Sequence, residues 1–151
     1  MSNTNGQTGG GRMVNQPIIQ RLLNNLEGYI TDLRRADDIT FEKITADVRS
    51  QRFVERTLQI AIECCFDIAH HIISDQGFRE PASYGDAFVV LGENNVFPME
   101  SAKEYQLIWQ LRNKIVHYYD KLDPAQIFEI FRSNPNIFDK FRRQITTWLE
   151  V

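Results

Sequence analysis

A chain of 151 residues, 42% hydrophobic and 25% charged, has the composition of one ordinary globular domain with enough length to bury a core. Its formal charge of −3 argues against a general nucleic-acid binder and leaves room only for a local basic site. No apolar run approaches the ~20 residues a membrane helix needs, and the polar, glycine-rich first residues do not read as a secretory signal. Cys64 and Cys65 are adjacent in an apolar helical segment, a poor start for a disulfide framework, so reduced, buried thiols in a cytoplasmic protein are expected.

Residues 1–12 are rich in Ser, Asn, Thr and Gly and precede a second methionine, Met13. They are expected to be a disordered leader or an expression remnant, with residues 13–151 forming a single helical domain. From Pro17 to about Ala36, Ile18, Leu22, Leu26, Ile30 and Leu33 recur at helical spacing. A short helix is expected from Phe41 to Thr45. A long one follows from about Val48 to Asp75, with apolar stripes on Phe53, Thr57, Ile60, Cys64, Ile68 and Ile72 and on Leu58, Ile62, Cys65, Ala69 and Ile73. Arg56, Gln59, Glu63, Asp67, His70 and Ser74 make a separate polar stripe. A helix apolar over most of its circumference belongs at the centre of a bundle, and Gly77 suits its end. Ser83, three residues before Asp86, opens a segment carrying Tyr84, Phe88 and Leu91, and Gly92 to Asn95 reads as a turn. Pro98 suits the start of the next helix, which runs to about Tyr119. Asp123-Pro124 and Asn134-Pro135 each read as an N-cap followed by a first-turn proline, predicting two further helices. No period-two strand pattern and no internal repeat occurs, so the fold class is all-α.

Arg112-Asn113-Lys114-Ile115-Val116-His117-Tyr118-Tyr119 sets an arginine, a histidine and a tyrosine inside one apolar-periodic segment, in the order R-x4-H-x-Y. Arg112 is a permanent cation whose fork suits phosphate, and His117 is a type of side chain that titrates near neutral pH. On a helix, Arg112 and Tyr119 lie about 20° apart in azimuth, while Arg112 and His117 are offset by about 140° and straddle a ridge. Asn113 shares the face of His117. Taken singly, these residues read as a surface arginine in a salt bridge, a satisfied helix-end histidine and a packing tyrosine. Elsewhere, Asp67 with His70 and His71 gives i, i+3 and i+4 spacing with no further Cys or His beside it, so no metal site is expected. Asp67 and His71 remain candidates for lining a cleft beside the motif.

The motif resembles the signature of HEPN-domain ribonucleases, the HepT-like toxins in particular. The resemblance extends to Arg52 through Glu63, to Cys65 through Ile73, to Pro81-Ala82-Ser83-Tyr84-Gly85-Asp86-Ala87-Phe88, and to Leu111 through His117 with the following Asp123. It covers most of the chain from about Asn15 to Leu149; the double tyrosine departs from the pattern, and only Tyr119 holds the motif position. The resemblance implies a HEPN-type helical bundle with a long central helix that dimerises through the helices flanking the motif, into a homodimer or a higher oligomer. It implies a metal-independent ribonuclease with no cofactor, acting on cellular RNA. Among RNAs it points to tRNA, although no residue here selects tRNA over mRNA. Arg112 and His117 would be catalytic, and Asn113 and Lys114 would bind or orient substrate. The implied partner is a nucleotidyltransferase antitoxin of the MntA type that transfers AMP to Tyr119, with Tyr118 the next candidate acceptor. The alternative is a non-enzymatic HEPN module that binds nucleotide or such a partner, or a helical scaffold, in either of which Arg112 and His117 would be structural.

Overall fold

The computed structural model describes residues 16–117 and 123–150, and every described regular element is an α-helix. In chain order these are α1 (Gln16–Arg35), α2 (Phe41–Ala46), α3 (Val48–Gln76), α4 (Asp86–Glu93), α5 (Met99–His117) and α6 (Pro124–Leu149). The expected leader lies outside the described residues.

The boundaries follow local chemistry. The Thr40 hydroxyl accepts from the Lys43 amide at 3.1 Å and opens α2. The Asp47 carboxylate accepts from the Arg49 amide at 3.3 Å and the Ser50 hydroxyl at 2.7 Å, which opens α3 one residue after α2 ends. Gly77, at φ 69°, closes α3 in the left-handed conformation that glycine adopts without steric cost. The Asp123 carboxylate accepts from the Ala125 amide at 3.0 Å, with Pro124 following it at the start of α6.

Helix α3 is the axle of the bundle, packed by α1, α2, α4, α5 and α6. Its buried residues include Leu58, Ile62, Ile68, Ala69 and Ile72 from the two predicted apolar stripes, and also Val54 and Ala61, which neither stripe contained. The N-terminal end of one stripe is open, because Phe53 is exposed and Ile60 only half-buried. Phe131, Phe138, Phe141 and Ile145 of α6 complete the core beside Phe88 of α4.

One expectation fails and a second holds only in part. Asn134-Pro135 does not start a new helix; α6 runs through it with Pro135 inside. An interior proline removes one backbone hydrogen bond and costs about 3 kcal/mol. Here Ile127, Phe131, Pro135, Phe138, Phe141 and Ile145 lie buried along one continuous face, and their burial outweighs that cost. The turn expected over Gly92 to Asn95 is present only in its second half: α4 continues through Gly92 to Glu93, and Asn94 and Asn95, the latter at φ 61°, make the turn. A Cβ on Gly92 would stand 2.9 Å from the Ala102 Cβ and 3.2 Å from the end of Met99, so this glycine lets α4 lie close against α5.

The connection from α3 to α4 is clamped by Arg79, whose guanidinium meets Asp86 and Glu93, each at 2.8 Å. The arginine holds both carboxyls below their ordinary range. The clamp fixes the loop that lays Tyr84 onto α3 and α5.

Candidate active site at the seam of α3 and α5

Helices α3 and α5 run antiparallel: Glu63 faces Arg112, and Phe66, three residues later, faces Trp109, three residues earlier. That register turns the polar stripe of α3 toward the R-x4-H motif of α5. Arg112 donates from Nε to Glu63 Oε2 at 2.8 Å and from Nη1 to Asn113 Oδ1 at 3.4 Å. Its Cζ lies 5.0 Å from the centroid of the Trp109 ring. Gln59 Nε2 donates to the same Glu63 oxygen at 3.2 Å. The guanidinium is thus held at three of its edges and faces, half-buried, while Nη2 has no hydrogen-bond partner among the described residues.

The platform under this arginine is aromatic. Phe66 lies 5.4 Å from Trp109 and 5.0 Å edge-on from Tyr84, and Tyr84 lies 5.4 Å from Trp109. Trp109 is buried, whereas Tyr84 is largely exposed. The His70 ring stacks on Phe66 at 5.8 Å. A cation over a tryptophan face gains about 0.5–2 kcal/mol, more as water is excluded. The seam therefore presents a fixed cation on a rigid apolar support.

His117 stands exposed in the last described turn of α5, about 7.5 Å along the axis from Arg112. Asn113 is half-buried, and its carbonyl oxygen meets the arginine; Lys114 is exposed on the same turn. Tyr118 and Tyr119 lie outside the described residues, as does Lys121. On α3, Asp67 lies exposed beside half-buried His71. Partial desolvation holds the Asp67 carboxyl above its ordinary value and Glu63 adds to this, while His71 and His70 pull it down. Among the described residues, no group of three His, Cys, Asp or Glu side chains is placed to hold a metal ion.

The roles of two members of this site are not legible in the sequence, where Glu63 reads as a carboxylate that could pair with Asp67. Glu63 was visible as part of a polar stripe, but its pairing with Arg112 is a contact between residues 49 apart. Trp109 reads in the sequence as one more apolar residue of α5, and nothing local marks it as the seat of the arginine.

A sequence profile of the ribonuclease HepT-like family matches residues 26–145. The chain belongs to that family. Among its relatives, a tRNA nuclease HepT from Aphanizomenon flos-aquae is 29% identical over 132 residues, 87% of this chain and 90% of that protein. An mRNA nuclease HepT from Shewanella oneidensis is 30% identical over 95 residues, 63% of this chain and 71% of that protein. A solved structure of a tri-AMPylated Shewanella oneidensis HEPN toxin in complex with MNT antitoxin superposes with a TM-score of 0.79. It is 26% identical and covers 86% of this chain and 97% of its own. The family match and this superposition bear out the HEPN-type bundle with its long central helix. No described helix is long and apolar enough to cross a membrane.

Proposed function

We propose that this protein is the toxin of a two-component toxin–antitoxin system, an endoribonuclease whose chemistry is carried by Arg112 and His117. The observation that carries the reading is the state of Arg112. Its guanidinium is fixed by Glu63 and Trp109, leaves Nη2 without a hydrogen bond among the described residues, and sits on the same helix as an exposed histidine, in a member of a ribonuclease family. A fixed cation beside a titratable ring is what cleavage by an internal nucleophile requires. The 2′-hydroxyl attacks phosphorus as a base removes its proton, and the 5′-oxygen leaves as an acid protonates it. The products are a 2′,3′-cyclic phosphate and a free 5′-hydroxyl, and no metal is used. Arg112 stabilises the charge on the phosphorane, His117 moves a proton, and Asn113 and Lys114 help to seat the substrate. Asp67 and His71 stand on the neighbouring stripe of α3 as further cleft residues.

One histidine per motif does not serve as acid and base at once, so two copies of the chain form the working site, related by a two-fold axis. The partner is a nucleotidyltransferase antitoxin of the MntA type, which transfers AMP to Tyr119. The added phosphate and nucleoside bring negative charge and bulk close to the motif, where they compete with RNA phosphate for Arg112. The likeness to a HEPN toxin that carries AMP groups beside its antitoxin supports this mode of neutralisation.

The test is induction of the wild-type chain and of His117→Ala in cells lacking any antitoxin, with total RNA examined beside growth. Growth arrest and new RNA fragments ending in cyclic phosphate are expected for wild type alone. Identical behaviour of the two with intact RNA would move the protein to a binding module; DNA cut as readily as RNA would remove the 2′-hydroxyl mechanism.

A further inference from the structure

Beyond the arginine–glutamate pair, the seam of α3 and α5 opens into a groove of about 650 Å³, within the size range of small-ligand clefts. Arg52, Arg56, Gln51, Gln59 and Glu55 of α3 line it, with Ile115 of α5 on the facing wall. The antiparallel register gives the groove its direction. Moving from Glu63 back through Gln59 to Arg56 and Arg52 on α3 runs alongside the path from Arg112 through Ile115 toward His117 on α5. The groove thus leaves the motif on the side of the histidine.

Its charge is unspent among the described residues. Arg34, Arg79, Arg112, Arg142 and Arg143 each meet a carboxylate within 4.0 Å. Arg52 and Arg56 form no ion pair or hydrogen bond among the described residues, and both are exposed. The one carboxylate in the groove, Glu55, accepts from Gln51 Nε2 at 3.0 Å, and Glu63 is held by Arg112 and Gln59. These two arginines stand one helical turn, about 6 Å, apart on one face. In a chain whose formal charge is −3, attraction of a polyanion has to be local, and among the described residues this is where uncompensated cations flank the motif. Ile115 offers an apolar wall against which a ribose or base can rest.

We infer that this groove is the track for the RNA backbone next to the cleaved bond, with Arg52 and Arg56 each contacting a phosphate that is not itself cut. The inference rests on the ribonuclease reading and adds a substrate-binding surface to it. The probe is a fluorescein-labelled single-stranded RNA bound to the full chain carrying His117→Ala, so that the RNA stays intact. Binding is measured across a salt series with and without Arg52→Gln/Arg56→Gln. Losing two phosphate contacts lowers the slope of log K against log salt by about 1.4, at about 0.7 per contact on a single strand, and weakens binding at low salt. Arg52→Lys/Arg56→Lys keeps the charge and is expected to keep the slope. In the His117-containing chain, the glutamine pair raises KM and leaves kcat within about twofold, since neither arginine touches the reacting phosphate.

An unchanged slope and KM in the glutamine pair overturns the groove while leaving the nuclease intact. A chain that neither cleaves nor binds RNA overturns the ribonuclease reading, and the groove with it. Unchanged RNA binding with loss of the antitoxin complex overturns the inference by giving the groove to the protein partner.

Discussion

Removing the Glu63 carboxylate tests whether Arg112 works through being held in place. In Glu63→Ala the 2.8 Å bond from Arg112 Nε disappears, leaving the guanidinium on the Trp109 face with one long bond to Asn113. A hydrogen bond to a charged group contributes about 1.5–3 kcal/mol. The pair is partly open to water, with side-chain exposures of 22% and 31%, so about 1 kcal/mol is a realistic share. If that energy holds the arginine in its productive orientation, kcat falls by about fivefold. KM falls as well or does not move, because a carboxylate that repelled the substrate phosphate has gone. Glu63→Gln keeps an acceptor for Nε without the charge, and most of kcat should return while KM stays low. Initial rates on a fluorogenic RNA over a substrate series separate the two constants, and a melting curve of each variant shows whether the fold is intact. A Glu63→Ala enzyme with wild-type kcat would refute the argument, as would a Glu63→Gln enzyme no better than the alanine variant.

Other consequences follow from packing and titration. Gly92→Ala gains about 1 kcal/mol of helix propensity but drives a Cβ to 2.9 Å from Ala102. Overpacking costs about 1–3 kcal/mol, so the melting temperature should drop by a few degrees in a thermal scan, and a rise would show the contact to be soft. Burial pushes the Cys64 thiol up to about 12 and that of Cys65 well above its usual value, with the Cys64 Sγ 3.2 Å from the Leu22 carbonyl oxygen. Because both pKa values are raised in the fold, the thiols stabilise it fully below about pH 9, and that contribution is lost as pH climbs toward 12. Stability should fall across that window, and native protein should resist alkylation near neutral pH while unfolded protein reacts at both cysteines. Tyr119→Phe should abolish AMP transfer by the antitoxin, read as loss of the added mass on the intact chain; transfer that persists at the wild-type level would move the acceptor elsewhere, with Tyr118 next.

Much of this arrangement is visible in the chain, and what is hidden is hidden for one reason. Thr40, Asp47, Gly77 and Asp123 act on backbone groups within a few residues, so the ends they set are readable locally. Period alone likewise announces α1, but its first two positions are read one residue early: Ile19 and Leu23 are buried with Leu26, Ile30 and Leu33, while Ile18 and Leu22 stand half-buried beside them. Pro135 and Gly92 mislead because their local preferences are outweighed by contacts with distant residues, the α6 face in one case and Ala102 in the other. The site divides in the same way. Arg112 and His117 share one helix and stand out as a motif, whereas Glu63 and Trp109 acquire their roles only once α3 and α5 are set antiparallel. Tyr119 is legible through its position in the motif and lies outside the described residues.

The need for two copies can be put to a quantitative test. Arg112 and His117 stand on an open face, with no second histidine on α5 to complete an acid–base pair. On α3, His70 is committed to the Phe66 ring, and His71 sits against Asp67. If the acid and the base are the two His117 side chains of a symmetric pair, a dimer with one His117→Ala subunit lacks one of them and is inactive. Co-expressing wild-type and His117→Ala chains in equal amounts, with different tags, leaves about a quarter of randomly paired dimers fully wild type. Cleavage per total protein should then fall to roughly a quarter of the wild-type value, and purified mixed dimers should be silent. A fall to about one half, with mixed dimers active at half rate, would mean that each chain carries a complete site. A second proton-transfer group would then have to be sought within one protomer, beginning with His71 and with Asp67, whose raised pKa brings it closer to the neutral range.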